Sequence, residues 1–407
     1  MFRIGAAVVA AIVGAALAVV PSSAAFAADC SPVSKEGALD HTPWGQERMG
    51  ADRVWPLTRG AGIKVAVIDS GISDASPVLE GKVEKGKDYV VPEEGESKVG
   101  SGCDLVGHGT SIAGIIAGRQ MDDTPFAGMA PDARLMSVRV LPDLSVSNNR
   151  DLPNILADAI REAVDNDADV INMSVQLVHS GALEKAVEYA ADHGVVMVAA
   201  AGNRGGEDGD NAPQFPAAYD NDAMLAVSAI QQDGSPTETS NTGDYVDLAA
   251  PGQNIVGPGP EGTGYTGGEG ATGTSFAAAF VSGTAALVQA RFPDMGPDEV
   301  ANRMRLTAQN PPRHWDQQLG HGVVDPYRAV TADMTEVKPD KTMAGPALQL
   351  HADDQATPRT VGAIILGFTI AAALAVSCGR VVIPIVWRKR RRRRAAKELM
   401  RRITPSA

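Results

Sequence analysis

Cysteine, histidine and basic charge are all scarce in this chain, and each shortage narrows what it can be. Three cysteines among 407 residues leave room for a single internal disulfide. Seven histidines are present. Six of them (His41, His179, His193, His314, His321 and His351) stand in polar, loop or helix-end contexts, and His193 before Gly194 reads as a helix cap. Only His108 has the small neighbours that let an imidazole approach a nucleophile. The formal net charge is −13. With Arg3, Arg380 and the tail from Arg388 set aside (ten basic residues, one glutamate), the remainder carries about −24. A surface that acidic argues against nucleic acid or anionic lipid as its ligand. Internal repeats are absent. The run Glu207-Asp208-Gly209-Asp210-Asn211 lacks the spacing of a helix–loop–helix calcium loop and reads as a hydrated acidic loop, so neither a metal nor another cofactor is expected.

The two ends carry targeting signals. Arg3, the apolar stretch Ala6 to Val20 and the small-x-small Ala25-Phe26-Ala27 read as a secretory signal peptide over residues 1–27, an uncleaved anchor being the alternative. Residues 28–43 form a short polar arm, too short to be a folded pro-domain. Near the other end, Val361 to Cys378 has no charge, and Val361 to Gly379 would rise about 28 Å as a helix, close to the hydrocarbon thickness. Arg380 can snorkel, so residues 361–387 read as one transmembrane segment. The basic run from Arg388 fixes residues 388–407 as a cytoplasmic tail and the rest as extracytoplasmic. A polar, proline-containing stalk over 331–360 leads to the membrane. Cys30 and Cys103 are then the only pair on the oxidising side, and a bridge between them would tie the arm to the loop before His108; two free thiols are the alternative.

Between the ends, strand-length apolar runs at Val65–Ile68, Leu135–Leu141, Val170–Met173, Val195–Ala201 and Leu225–Ala229 alternate with helical patterns at Ser111–Ala117, Leu156–Asn166, Leu183–Asp192 and Ser275–Arg291. That alternation predicts an α/β fold, a parallel β-sheet flanked by helices on both faces. Asp69, Ser174 and Asn203 each follow a strand, and ligands of such sheets bind at the carboxyl ends of strands.

Asp69 ends the run Lys64-Val65-Ala66-Val67-Ile68, His108 sits in Gly107-His108-Gly109-Thr110, and Ser275 sits in Gly273-Thr274-Ser275-Phe276-Ala277. A hydroxyl nucleophile needs a base, and the base needs a carboxylate to hold its tautomer and stabilise its cation. The chain supplies them in the order Asp, His, Ser. Asn203, at the end of Val195-Val196-Met197-Val198-Ala199-Ala200-Ala201-Gly202, could donate to an oxyanion beside the Ser275 backbone N–H.

With four motifs in this order, the residues from about Trp44 to Arg328 resemble the subtilase family. The resemblance implies a subtilisin-like serine peptidase domain over 44–330, acting on protein or peptide substrates. It also implies that Ser174, Val175 and Gln176 open the edge that binds substrate backbone, with Ala200, Ala201 and Gly202 as the opposite pocket wall. Where the family usually has Leu-Gly-Gly, this chain has Val175-Gln176-Leu177, so Gln176 puts a side chain on normally bare backbone and implies restricted cleavage. The arm with its cysteine, Cys103 ahead of His108, the stalk, the single span and the basic tail together resemble the mycosins. These are membrane-anchored subtilases of actinobacteria associated with type VII secretion systems. That likeness implies a secretion membrane complex as partner, with a structural stabiliser of the complex or a generic anchored subtilase as alternatives. Two departures are local: Leu105-Val106 lengthen the loop between Cys103-Asp104 and Gly107-His108, and a second cysteine pair is absent.

Overall fold

The computed structural model describes Cys30 and residues 37–92, 98–144, 150–206, 209–262, 264–269, 271–309 and 315–334. The expected signal peptide, the span over 361–387 and the basic tail lie outside these residues, as does all but the first few residues of the stalk. Among the described residues no helix is long and apolar enough to cross a membrane.

The chain enters through α1 (Trp44–Met49) and a 3-10 turn, then lays down β1 (Lys64–Asp69), β2 (Val83–Asp88), α2 (His108–Ala117) and β3 (Arg134–Arg139). There follow α3 (Leu152–Asp165), β4 (Val170–Met173), α4 (Gly181–Asp192), β5 (Val196–Ala200), β6 (Met224–Ile230) and β7 (Leu248–Pro251). A small hairpin, β8 (Val256–Pro258) with β9 (Tyr265–Gly267), precedes α5 (Thr274–Arg291), α6 (Pro297–Thr307) and α7 (Pro326–Thr331).

Seven strands form one sheet in the order β2-β3-β1-β4-β5-β6-β7, and every pairing in it is parallel. The expected architecture is therefore present. The central strands are mainly apolar on both sides because both faces are covered, and their buried Ser137, Asn172 and Ser228 are hydrogen-bonded. Val65 and Val67 of β1 face one core with α2, α5 and α6, while Ala66 and Ile68 face the other with α3 and α4. This is the period-two alternation of a strand between two layers.

Helix α5 runs through the first core and is buried nearly all round, which explains its run of alanines: Ala277, Ala278, Ala279, Ala285 and Ala286 are fully buried. A methyl group added at Gly283 would sit 2.4 Å from Met129 Cβ, so a larger residue would push the two apart. The sheet register carries these details to the site. Ile68 pairs with Met173 and Met173 with Ala199, so the carboxyl ends of β1, β4 and β5 finish level with one another.

Candidate active site

Asp69 is the last residue of β1 and is fully buried. Its Oδ1 accepts from the Ser70 N–H at 2.7 Å and faces His108 Nδ1 at 2.8 Å. His108 opens α2 rather than preceding a helix that starts at Ser111, because Gly107 takes a left-handed φ of 83° and delivers the chain directly into the first turn. Its side chain is 11 % exposed, and its ring lies 5.7 Å from that of Phe276. Burial pushes the His108 pKa down, but the Asp69 charge and hydrogen bond, with a smaller push from Asp104, outweigh it and leave the group above its ordinary value.

The close seating of the two loops depends on glycine at two positions. Gly71 has φ 110°, and a Cβ there would lie 2.2 Å from the Cys103 carbonyl oxygen. At Gly109 a Cβ would lie 2.1 Å from the Gly71 oxygen and 3.2 Å from Asp69 Cβ. Cys103 itself is joined to Cys30, so the expected disulfide is present.

Ser275 is the second residue of α5, which starts one residue before the sequence reading. Thr274 just ahead of it binds Asn203: its N–H and hydroxyl reach Asn203 Oδ1 at 2.8 and 3.0 Å. That contact assigns the amide oxygen to Thr274 and leaves Nδ2 as the donor end. Ser275, His108 and Asn203 line one cleft of about 400 Å³ together with Ser174, Val175, Gln176 and Gly273. No hydrogen bond joins Ser275 to His108 in this geometry, a looseness that substrate commonly tightens in hydrolases.

Ser174, Val175 and Gln176 reach the cleft as expected. Ala200, Ala201 and Gly202 do not. Ala200 and Ala201 are fully buried, Tyr245 donates to the Ala201 carbonyl, and both Gly202 backbone groups are bonded, to Thr274 Oγ1 and to the Asn241 N–H. The two alanine methyls are packed in the interior and the Gly202 backbone is bonded on both sides, so the segment holds Asn203 from behind. Gln176 does more than occupy space: its Oε1 accepts from the Asn203 N–H at 2.9 Å and bridges the segment after β4 to the segment after β5. His193 caps α4 as read, its ring nitrogen 2.7 Å from the Tyr189 carbonyl.

Asp104 has no role legible in the sequence alone. It is fully buried and accepts from both sides of the His108 loop. The available signal was an acidic residue just before a motif of small residues, which is too common to single out.

The family model described as the Subtilase family matches residues 60–322. Mycosin-4 of Mycobacterium tuberculosis (strain ATCC 25618 / H37Rv) is 37% identical over 343 residues, which cover 75% of this chain and 73% of that protein. The crystal structure of MycP1 from Mycobacterium smegmatis superposes with a TM-score of 0.64 at 32% identity, covering 74% of this chain and 88% of that one. A chain of an intact ESX-5 inner membrane complex superposes with a TM-score of 0.62 at 29% identity, covering 85% and 94%. The chain belongs to the subtilase family of serine endopeptidases and, within it, to the mycosins.

Proposed function

We propose that this protein is a membrane-anchored, extracytoplasmic endopeptidase in which Ser275 is the nucleophile, His108 the base, Asp69 its orienting carboxylate and Asn203 the oxyanion donor. The observation that carries this reading is the 2.8 Å contact between Asp69 and His108 in a cleft that Ser275 and Asn203 also line. Asp69 holds the proton on Nδ1, which leaves Nε2 to take the Ser275 hydroxyl proton as Oγ attacks the scissile carbonyl carbon. The resulting oxyanion meets Asn203 Nδ2 and the Ser275 N–H, at the start of a helix whose dipole favours negative charge. His108 then returns the proton to the departing amine, and water releases the acyl group by the same steps in reverse roles.

Gln176 favours restricted cleavage over general digestion. Its bridge to Asn203 leaves less depth beside the nucleophile than bare backbone would. The apolar run over 361–387 followed by the basic run from Arg388 supports one C-terminal anchor with the peptidase domain outside and the tail inside. Likeness to a chain of an ESX-5 inner membrane complex supports a place beside a type VII secretion channel, with substrates presented there.

The test uses one variant with two readouts. Ser275→Ala should lose at least ~10³-fold of peptide-bond cleavage. Full-length protein crosslinked in detergent should recover secretion-complex subunits, and secreted proteins from Ser275→Ala cells should lack specific new N-termini. Export that fails on deletion but survives Ser275→Ala unchanged would assign the protein to stabilising the complex, with cleavage secondary. Recovery of the protein alone, with normal export in the deletion strain, would leave a generic anchored subtilase.

A further inference from the structure

We propose that Asp104 is a positioning residue for the catalytic base: its buried carboxylate clamps the loop carrying His108 onto the Ser70 beside Asp69. The inference rests on the catalytic roles proposed above for Asp69, His108 and Ser275. Five donors converge on this one side chain, which is 0 % exposed. Oδ1 accepts from the Ser70 hydroxyl at 2.9 Å, the Gly107 N–H at 2.8 Å and the Val106 N–H at 3.1 Å. Oδ2 accepts from the Thr110 N–H at 2.8 Å and the Thr110 hydroxyl at 2.7 Å. Donors from both sides of His108 are thus gathered by one group, and the ring's anchor cannot shift without breaking several bonds together.

Ser70 extends the clamp to the acid. Its hydroxyl donates to Asp104 and accepts from the Gly109 N–H at 3.0 Å, while its own N–H donates to Asp69 Oδ1 at 2.7 Å. Asp104 therefore reaches the catalytic histidine from its N-terminal and C-terminal sides and the catalytic aspartate through one serine. Thr110 ties the far side, since its hydroxyl also accepts from the Ser73 N–H at 3.0 Å. Every one of the five donors requires an acceptor, so an asparagine here would turn an amide N–H toward at least one of them.

Asp104 also adds a second negative charge near His108, after Asp69. The other charges on the elements packed around α2 lie elsewhere. Arg139 of β3 donates to the Ser70 carbonyl and is matched by the buried Asp88 of β2. Lys64 and Arg134 stand at the opposite ends of β1 and β3, Arg291 ends α5, and β8 carries none. Removing the Asp104 charge should therefore displace the titration of His108 downward, whereas a purely structural defect would leave it in place.

The test follows labelling of the full-length protein in detergent by a fluorophosphonate, which reads the nucleophilicity of Ser275 without a known substrate. Labelling of wild type at Ser275, absent in Ser275→Ala, establishes the underlying catalytic reading; its absence in wild type would defeat that reading and this inference together. Given such labelling, Asp104→Asn should lower the plateau rate roughly tenfold to a hundredfold, with the reagent's apparent binding constant little changed. The acid limb of its pH–rate profile should move to lower pH. A folded Asp104→Asn protein with an unmoved limb, or with wild-type plateau and limb, overturns the proposal. Should that variant not fold, Thr110→Val removes one donor and keeps the charge. It should lower the plateau about threefold with the limb unmoved, and an unchanged plateau overturns the proposal.

Discussion

Replacing Cys30 by serine cuts the covalent tie between the arm and Cys103, and its cost can be worked out from the length of chain it closes. The two cysteines are 73 residues apart. In the chain-entropy treatment a closed loop of that length lowers the entropy of the unfolded chain enough to stabilise the fold by about 4.4 kcal/mol. The native side should change little. The Gly37 carbonyl still accepts from the Tyr265 N–H at 3.2 Å, and Leu39 still packs against the main core. For a domain of this size each kcal/mol moves the midpoint by about 2 °C, so Cys30→Ser should lower it by roughly 9 °C. Tryptophan fluorescence suits the measurement, because Trp44 and Trp55 donate to the Gln253 and Met129 carbonyls and report the attachment of α1. Wild type in reductant should match the variant. Cys30 is the residue to change, because Cys103 is 2 % exposed and a serine there would add a buried hydroxyl to the loss. A shift under about 2 °C would show that the unfolded chain gains little freedom, and the entropic argument would fail.

Four further outcomes follow from the site. Asn203→Ala should lower kcat by about 10²–10³ with KM nearly unchanged, and a matching rise in KM instead would mean that the amide binds ground state. Because Asp69 and Asp104 hold the His108 pKa up, activity should rise with pH along a limb centred above the ordinary histidine value of about 6.5. The same shift makes protonated His108 stabilising below about pH 6.5, with that increment lost as pH climbs through the folded-state pKa; a limb centred below 6.5 contradicts both statements. Gln176→Gly should accelerate inactivation by peptide chloromethyl ketones with bulky side chains next to the warhead far more than by those with alanine, at a stability cost of about 1 kcal/mol for the lost bond to Asn203.

Strand positions were legible where a β-branched, apolar run fills a strand that is buried on both faces. Val170–Met173 matches β4, and the runs at Val65–Ile68 and Leu225–Ala229 each lie one residue inside the observed β1 and β6. β2 was not legible, because Val83–Asp88 is an edge strand with Glu84, Lys85 and Lys87 partly or fully exposed, and so carries no apolar signature. β7, Leu-Ala-Ala-Pro, was not legible because it has no β-branched or aromatic residue and ends in a proline that reads as loop. The four motif residues were readable because the roles proposed for them, nucleophile, base, acid and oxyanion donor, need particular chemistry. Asp104, Ser70 and Thr110 escaped notice because their role lies in converging hydrogen bonds, which exist only after the loops are seated. The arrangement of Ala200, Ala201 and Gly202 was hidden from the sequence for a related reason. Sequence placed them near the site, but burial and occupied backbone groups keep them out of the cleft.

The seven parallel strands have a consequence in time as well as in space. Parallel neighbours are never joined by a tight turn, so each pairing waits for a crossover to close, and β1 must be flanked by β3 and β4 before its carboxyl end is framed. Asp69 leaves β1, Asn203 follows β5, and Ser275 arrives on α5 only after β7 and the hairpin have been made. On the roles proposed above, a chain that has emerged only as far as β7 carries the acid and base without Ser275, and so lacks the nucleophile needed to cut itself or its neighbours.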